Sequence, residues 1–420
     1  MAILSLAWKS LLNRKFTVGL ILLSIALSVA LLLGVERLRV ESRASFANTI
    51  SGTDLIVGAR SGSINLLLYS VFRIGDATNN ISWKSYQQFA SHPLVKWSIP
   101  ISLGDSHNGY RVLGTNQDYF KYYQYGRKQN LAFMAGKVFD KTLEAVVGAE
   151  VAEKLNYKIG QKIIIAHGAG KTSFKMHDDK PFVITGILAK TGTPVDRTVH
   201  VPLEGIEAIH KNWVDGGNMS RIKMLVKRAM GNDDLTPNQI TAFMLGLKSR
   251  IATFTLQRDI NEYRKEPLLA ILPGVALQQL WDMMGIAEKA LLLVTSLVVL
   301  VGLIGMLTVM LAGLNERRRE MAILRSVGAR PMHIMLLITG ESLLLCLLGV
   351  LLGLFLLYAG LAFAQPFIAS NYGLYLPVSW PAAREWSMIS LIAGLGLLIG
   401  LVPGYRAYRY SLADGLSLRI

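Results

Sequence analysis

Four apolar runs without a charged residue most constrain what this chain can fold into. Each run is long enough to cross a hydrocarbon core about 30 Å thick as a helix of roughly 20 residues. The runs lie at residues 16–35, 290–314, 342–364 and 386–405 of a chain of 420 residues. The sequence therefore predicts a membrane protein with one span near the start, three near the end, and a long mixed segment between them.

The first run could be mistaken for a secretory signal peptide, because Lys9, Arg14 and Lys15 precede it. Its apolar stretch is longer than the hydrophobic region of a signal, and no convincing small-x-small cleavage site follows. We interpret it as an uncleaved span. No glycine or proline lies between the end of this run at Val35 and Gly52, so we expect the helix to continue outward to residue 50 as a stalk.

Arginines in the short connecting segments determine the predicted orientation. They crowd the loop between the second and third runs and follow the fourth run, whereas the loop at residues 365–385 contains Arg384 alone. The positive-inside rule therefore places both termini in the cytoplasm and residues 36–289 outside. The cytoplasmic arginines are Arg317, Arg318, Arg319, Arg325, Arg330, Arg406, Arg409 and Arg419.

The net charge of +16 would suggest nucleic acid as a partner on a soluble chain. Here the outer segment has no long Lys/Arg run, and the spans indicate a membrane, so we expect membrane lipid and no nucleic acid as a partner. The single cysteine, Cys346, lies within the third run and cannot form an intrachain disulfide.

The outer segment mixes strand and helix patterns without strict βαβ alternation. Strands are predicted at residues 54–57, 94–101, 110–114, 162–166, 182–188 and 222–226. Helices are predicted at residues 82–91, 150–155, 203–211 and 237–258. The predicted fold class is therefore α+β, with a four-span α-helical membrane domain and a large mixed α+β domain inserted between spans one and two.

Two patterns in the outer segment could indicate chemistry, and we favour a structural interpretation of each. The stretch from His167 to Thr172 ends like a phosphate-binding loop, but Ile165 stands where a first glycine is required, so we predict a hairpin turn. The outer histidines show no H-x3-H spacing, and scattered histidines are a simpler interpretation than a metal site. They are His92, His107, His167, His177, His200 and His210.

The loop between the second and third runs, residues 315–333, predicts a short helix that ends at Gly328, just before Pro331. At helical spacing its residues divide into two faces. We expect one face to dock into a protein groove and the other to rest on anionic head groups. The first contains Glu316, Glu320, Ile323 and Val327, and the second Arg318, Met321 and Arg325. We predict that Glu341 pairs with arginines of this loop rather than carrying protons.

The loop motif Glu316-Arg-Arg-x-Glu320-x-Ala-Ile-Leu-Arg325-x-x-Gly328-Ala329 resembles the signature of FtsX/MacB-type ABC transporter permeases. The stretch at residues 7–15 resembles the N-terminal inner-face helix of that family, and residues 403–416 resemble its C-terminal close. In the outer segment, residues 111–120, 146–155 and 182–188 resemble the MacB-like periplasmic core domain.

With the resemblance, the chain divides into nine predicted segments. They are a cytoplasmic N-terminal amphipathic helix (1–15), span 1 (16–35), an extracytoplasmic MacB-like domain with its stalk (36–289), span 2 (290–314), a cytoplasmic coupling-helix loop (315–333), span 3 (334–364), a short extracytoplasmic loop (365–385), span 4 (386–405) and a cytoplasmic tail (406–420).

The resemblance implies a dimeric permease, as a homodimer or a heterodimer, in the bacterial inner membrane. It implies a separate ABC ATPase subunit that holds ATP and Mg, with no catalytic residue, cofactor or metal in this chain. A periplasmic adaptor or substrate-binding protein would be a further partner. The implied ATPase-coupling residues are Glu316, Glu320, Ile323, Leu324, Val327 and Gly328, with Arg318 and Arg325 assigned to lipid contact or topology.

Three functions remain open at this stage. The leading one is ATP-driven export or extraction of a lipoprotein, peptide or other amphiphile. The alternative is an FtsX-like signalling or scaffold protein that activates a periplasmic partner without transport. A membrane-anchored exterior enzyme is disfavoured, because no catalytic arrangement of residues is recognisable. The spacings Gly349-x3-Gly353 and Gly396-x3-Gly400 permit close helix approach, and packing within one bundle is their simplest interpretation.

Overall fold

The computed structural model describes residues 15–168, 180–214, 235–249, 251–372 and 379–409. The chain forms two compact units. The first, called the membrane unit, comprises Met1–Ser42, Met284–Asn371 and Tyr375–Ile420. The second, called the α+β unit, comprises Arg43–Met283 and Tyr372–Leu374.

The helices of the described residues are numbered in chain order. They are α1 (Lys15–Thr49), α2 (Ser63–Leu67), α3 (Trp83–Ala90), α4 (Asp118–Tyr122), α5 (Ala149–Leu155), α6 (Leu203–Val214), α7 (Ala252–Asn261), α8 (Pro273–Glu316), α9 (Arg318–Ser326), α10 (Pro331–Tyr372) and α11 (Ala383–Arg409). A π-helical turn covers Leu68–Phe72, and a 3-10 helix covers Pro194–Arg197.

The strands of the described residues are also numbered in chain order. They are β1 (Leu55–Ala59), β2 (Ile81–Ser82), β3 (Val95–Ile101), β4 (Asp105–His107), β5 (Tyr110–Thr115), β6 (Gln124–Tyr125), β7 (Gln129–Asn130), β8 (Phe133–Gly136), β9 (Glu144–Val147), β10 (Lys162–Ile163), β11 (Ala166–His167), β12 (Phe182–Leu188), β13 (Thr198–Pro202), β14 (Gln239–Ile240), β15 (Ala242–Leu247) and β16 (Leu268–Ile271).

Within the part of the chain that the structure describes, four helices are long and apolar enough to cross a membrane: α1, α8, α10 and α11. The first continues without a break to Thr49, which confirms the predicted extension of span one beyond its apolar run. Helix α8 likewise begins at Pro273, well before its apolar run at residue 290. Both α1 and α8 therefore contain residues of both units.

Small residues set how closely the helices of the membrane unit pack. A Cβ added at Gly349 would lie 2.7 Å from Ile25 on α1, and one at Gly396 would lie 2.5 Å from the sulfur of Cys346 on α10. At Gly353 and Gly400, an added Cβ would likewise press on α1 and α10. The structure thus confirms packing within one bundle as the interpretation of both glycine spacings.

The α+β unit contains two main sheets, in agreement with the predicted fold class. One has four antiparallel strands in the order β16-β1-β15-β3. The other follows the order β10-β12-β9-β13-β5-β4-β11, with β8 also paired to β12. Its β12–β9 and β13–β5 pairs are parallel, whereas its other pairs are antiparallel, so the sheet is mixed.

The helix predicted over residues 237–258 is wrong in its first half. The chain forms β14 and β15 there, and only α7 (Ala252–Asn261) is helical. All six residues of β15 are buried between β1 and β3, and the ring of Trp97 occupies the space that a side chain at Gly246 would need. Tertiary packing on both faces overrides the helix propensity of Met244 and Leu245.

The strand predicted over residues 162–166 is two short strands in the structure. β10 pairs with β12, and β11 pairs with β4 at a different position along the sheet. Ile164 and Ile165 connect them, and Ile165 is fully buried in the apolar cluster beneath the sheet. The strand predicted over residues 222–226 lies outside the described residues.

Candidate coupling surface and ion-pair clusters

Helix α9 is delimited by local sequence signals at both of its ends. Arg317 alone separates it from α8. At the other end, Gly328 has φ +100°, a conformation that favours glycine. The amide of Ala329 donates to the carbonyl of Leu324 at 3.0 Å, and the amide of Gly328 donates to that of Arg325 at 3.1 Å. These two bonds form a Schellman motif, after which Pro331 begins α10.

One face of α9 is buried in the membrane unit. Met321 and Ala322 are buried, and Met321 packs in an apolar cluster with Leu314, Ile334, Ile338 and Ala407. The prediction that Met321 belongs to a lipid-contacting face of this helix is therefore wrong. Apolar side chains of α8, α10 and α11 cover it, so this face anchors α9 to three of the spans.

The opposite face of α9 is exposed and carries apolar side chains. Ile323 is 54% exposed and Val327 is 84% exposed, and Glu320 is exposed one turn before Ile323. The structure thus brings together three of the residues that the family resemblance implies for ATPase coupling. A helix face with two exposed aliphatic side chains beside a carboxylate can bury apolar area against a partner.

The remaining predicted residues lie around that face. Leu324 and Arg325 are half-buried, whereas Arg318 and Gly328 are exposed. Glu316 is the last residue of α8, and its side chain lies outside the described residues. The roles of these residues in ATPase coupling and in lipid contact stay predictions.

The predicted pairing of Glu341 is confirmed, and its partner is Arg317. The two guanidinium nitrogens Nη1 and Nη2 donate to Glu341 Oε2 at 2.5 Å and to Oε1 at 2.7 Å. Both side chains are largely buried. This bidentate pair, called the Arg317 pair, joins the residue between α8 and α9 to the body of α10.

A second group of charges, called the Arg37 cluster, contains Glu36, Arg37, Arg39, Glu288, Arg384 and Glu385. Its central pair is buried: Arg37 Nε and Nη2 each donate to the Glu385 carboxylate at 3.1 Å, with side chains 5% and 7% exposed. Arg37 Nη2 also donates to the carbonyl of Ser379 at 2.9 Å, and its guanidinium lies over the ring of Tyr358.

The rest of the Arg37 cluster surrounds Glu36, which is almost fully buried. Arg39 and Arg384 approach its carboxylate at 3.1 and 3.0 Å, and Arg39 also lies 3.8 Å from Glu288. The cluster therefore joins α1, α8 and α11. Sequence analysis missed it, although the charges directly after the first apolar run and directly before the fourth were a usable signal.

The chemical patterns considered in the α+β unit find no support in the described residues. Gly170 and Lys171 of the glycine-rich stretch lie outside them. Among described side chains, no group of three His, Cys, Asp or Glu residues could hold a metal ion. His200 is fully buried, and this burial lowers its pKa to about 3, so its ring is neutral at physiological pH.

Comparisons with known proteins define the class. A family model described as the MacB-like periplasmic core domain matches residues 17–260, more than half of the chain. A second, described as the FtsX-like permease C-terminal domain, matches residues 292–412. The chain therefore belongs to the FtsX/MacB-type ABC transporter permeases, and it is a membrane protein with a large extracytoplasmic domain.

Among curated relatives, the chain is similar to the macrolide export ATP-binding/permease protein MacB 1 of Yersinia pestis bv. Antiqua, with 22% identity over 427 residues. It is also similar to MacB of Salmonella typhi, with 24% identity over 444 residues. Both alignments cover 99% of this chain and 60% of the relative, so the chain spans about 60% of the length of these relatives.

Two solved structures are similar to this chain. The periplasmic region of MacB from Actinobacillus actinomycetemcomitans has a TM-score of 0.35 and 9% sequence identity, over 55% of this chain and 94% of that one. The extracellular domain of the noncanonic ABC-type transporter YknZ from Gram-positive bacteria has a TM-score of 0.30 and 13% identity, over 52% and 99%.

Proposed function

We propose that this chain is the permease subunit of an ABC transporter that converts ATP hydrolysis by a separate ATPase subunit into movement of its exterior domain. The movement exports or extracts an amphiphile such as a lipoprotein, a peptide or, in view of the curated relatives, a macrolide. The observation that carries this proposal is the exposed apolar face of α9, whose opposite face is anchored among the spans.

The exposed face has the chemistry of a docking surface. Covering Ile323 or Val327 with a partner would contribute roughly 1.5–3 kcal/mol for each fully buried side chain. Glu320 adds a carboxylate that can pair with a basic residue of an ATPase groove, which contributes orientation more than affinity. Neither gain is available while the face remains in water.

The connections of α9 favour transmission of force. One residue joins it to α8, and a Schellman turn joins it to α10, so a displaced α9 must displace the ends of both spans. The Arg317 pair adds a third link, because it ties the α8–α9 junction to Glu341. The position of such a helix can be shifted both by the ATPase and by the spans, as allosteric coupling requires.

The wider assembly is part of the proposal. The chain works as a homodimer or a heterodimer in the bacterial inner membrane, with α9 in the cytoplasm and the α+β unit in the periplasm. ATP and Mg belong to the ATPase partner. A periplasmic adaptor or substrate-binding protein would deliver or receive the substrate.

The coupling proposal is tested with three single variants of the full chain. Glu320→Lys reverses the charge at the contact, and Ile323→Asp removes its apolar centre, so both should insert into the membrane but lose recruitment or stimulation of the ATPase. Arg318→Ala changes an exposed residue away from that face and should have a milder effect. Normal recruitment and normal stimulated ATP turnover in both of the first two variants would refute the proposal.

The orientation is tested with a cysteine at an exposed position of the α+β unit. Ser91 is exposed, so Ser91→Cys should react with a membrane-impermeant maleimide added from the periplasmic side. Native Cys346 is buried and should add little background. Labelling of Ser91→Cys from the cytoplasmic side only would reverse the proposed topology.

Transport and signalling are separated by what the purified complex carries. Co-purification of a periplasmic adaptor, with ATP-dependent release of an amphiphile from reconstituted vesicles, would support export or extraction. Co-purification and activation of a cell-wall hydrolase, with no amphiphile released, would favour the signalling alternative and contradict the transport proposal.

A further inference from the structure

A cavity lies between α1, α8 and α10, and all the residues that line it belong to the membrane unit. It measures about 420 Å³, counted with its open mouth. On α8 the lining ends at Arg317, the residue that separates this helix from α9. The cavity is therefore at the α9 end of the three spans.

The cavity reaches about two helical turns along the spans. Its lining on α8 runs from Val309 to Arg317, which corresponds to about 12 Å at 1.5 Å per residue. A hydrocarbon core about 30 Å thick contains two leaflets, so the acyl chains of each leaflet cover about 15 Å. The cavity is thus deep enough for most of one acyl chain.

The walls of the cavity are apolar, and its floor is more buried than its rim. Ile21, Ile338 and Leu345 are buried, whereas Val309 and Met310 are half-buried. Because the three helices are spans, an apolar chain can enter the cavity sideways from the membrane. An acyl chain in this position gains dispersion contacts with all three helices.

The chain around the cavity carries positive charge. The Arg317 pair is part of the lining, and its two charges offset each other. Two further cations lie next to lining residues along the chain. Lys15 precedes the lining residue Val18 by one turn of α1, Arg318 directly follows Arg317, and both are exposed. Cations at a membrane surface favour anionic over neutral head groups.

We propose that this cavity binds one acyl chain of an anionic phospholipid from the leaflet at the α9 end, with the head group on the side of Lys15 and Arg318. An anionic phospholipid matches both the apolar walls and the positive charge, whereas a neutral lipid matches the walls alone. That this leaflet is the cytoplasmic one rests on the orientation given under the proposed function.

The bound lipid also acts on the Arg317 pair. The side chains of Arg317 and Glu341 are 13% and 6% exposed, so little water reaches them. An acyl chain beside them excludes the remaining water, and the attraction between two charges increases as the local dielectric constant falls. The lipid therefore strengthens the link between the α8–α9 junction and α10.

The test uses the full chain in detergent micelles, after removal of co-purified lipid. Dioleoyl phosphatidylglycerol, which is anionic, and dioleoyl phosphatidylcholine, which has the same acyl chains and no net charge, are titrated separately. Native mass spectrometry counts the lipids bound to each chain. We expect one tightly bound phosphatidylglycerol and at least about tenfold weaker binding of phosphatidylcholine. Lys15→Gln should weaken binding of phosphatidylglycerol about fivefold.

A second arm of the test fills the cavity. Val309→Phe places a ring where the acyl chain lies, so it should weaken binding of phosphatidylglycerol at least about tenfold. The matched control is Val301→Phe, the same change about two turns earlier on α8, at an exposed position outside the cavity. The control should bind the lipid like the unaltered chain.

Thermal unfolding in detergent checks the fold of each variant. Phosphatidylglycerol should raise the unfolding temperature of the unaltered chain and of Val301→Phe, but not that of Val309→Phe, because a ligand stabilises only the state that binds it. Thr17→Phe fills the cavity from α1 and repeats the test if Val309→Phe does not fold.

The occupant is identified by crosslinking. The photoreactive residue p-benzoylphenylalanine replaces Met310, and the chain is irradiated in vesicles of phosphatidylglycerol. We expect an adduct with the phospholipid. An adduct with residues 1–14 of the same chain, and none with lipid, would mean that this segment fills the cavity and would overturn the proposal.

Two further results would overturn it: equal affinity of the unaltered chain for the two lipids, or binding by Val309→Phe as tight as by Val301→Phe. No ATPase takes part in these measurements. Their failure therefore leaves the coupling proposal standing, and normal ATPase recruitment by Glu320→Lys and Ile323→Asp would leave the lipid site standing.

Discussion

The two ends of the helices in the membrane unit differ in whether their side chains are covered or paired by other residues of this chain. At one end, the Arg37 cluster pairs six charged residues from three helices within this chain. At the other end, the Arg317 pair is also buried, but on α9 beside it Ile323 and Val327 are exposed and not covered by other residues of this chain.

From this difference we expect one end to serve stability and the other to serve a partner. Charges removed from water are costly unless they are paired, and the Arg37 cluster supplies those partners internally. Exposed aliphatic side chains on an anchored helix gain free energy only when a second surface covers them. The α9 end is therefore the one that we expect to change its contacts during a transport cycle.

The largest expected effect on stability follows from removing one partner from the Arg37 cluster. Arg37→Ala leaves the buried carboxylate of Glu385 without its main partner, which should destabilise the chain by roughly 3–5 kcal/mol. Thermal unfolding of the full chain in detergent measures this change. The exchange Arg37→Glu with Glu385→Arg should recover part of the lost stability.

The control for that prediction is Arg384→Gln at the neighbouring position of α11. Arg384 is more than half exposed, and Glu36 keeps Arg39 as a partner, so the cost should be under about 1 kcal/mol. Equal destabilisation by Arg37→Ala and Arg384→Gln would show that burial does not distinguish the two pairs.

A smaller effect is expected at the Arg317 pair. Arg317→Lys keeps the charge but loses the bidentate geometry with Glu341, and we expect a cost of roughly 1.5–3 kcal/mol. Stimulated ATP turnover should fall as well, because the α8–α9 junction loses its link to α10. Unfolding and turnover are measured on the same preparation. Reduced stability with normal turnover would remove the Arg317 pair from the coupling mechanism.

The packing of α11 against α10 gives a third comparison, between two glycines of α11. Gly396→Ala places a methyl group against the sulfur of Cys346 and should cost roughly 1–3 kcal/mol. Gly394→Ala, on the same helix, meets no atom within 4 Å and should be neutral or slightly stabilising. Similar unfolding temperatures for the two variants would contradict the close approach of α10 and α11.

The sequence predicts the membrane unit better than the α+β unit for a physical reason. A charge-free run of about 20 residues has few alternatives to a spanning helix, and the α9 motif carries its own glycine and proline signals. The buried strand Ala242–Leu247 carries no alternation, so its pattern also fits a helix, and only the neighbouring strands decide its structure.

Contacts between residues that are far apart in the chain could not be predicted from the sequence either. Arg37 meets Glu385, and Asp105 meets His210, only because helices and strands distant in the chain pack together. Charge and residue type mark such residues as candidates but do not identify their partners. The Arg317–Glu341 pair was predictable because both residues lie close to one short loop.

The most direct test of the central claim is the accessibility of Ile323 with and without the ATPase. Ile323→Cys should react rapidly with a maleimide in the isolated chain, because that position is more than half exposed and native Cys346 is buried. Binding of the ATPase subunit should slow this reaction at least about tenfold, and Arg318→Cys should be slowed less. If Ile323→Cys reacts at the same rate in the complex as in the isolated chain, the exposed face of α9 is not the coupling surface.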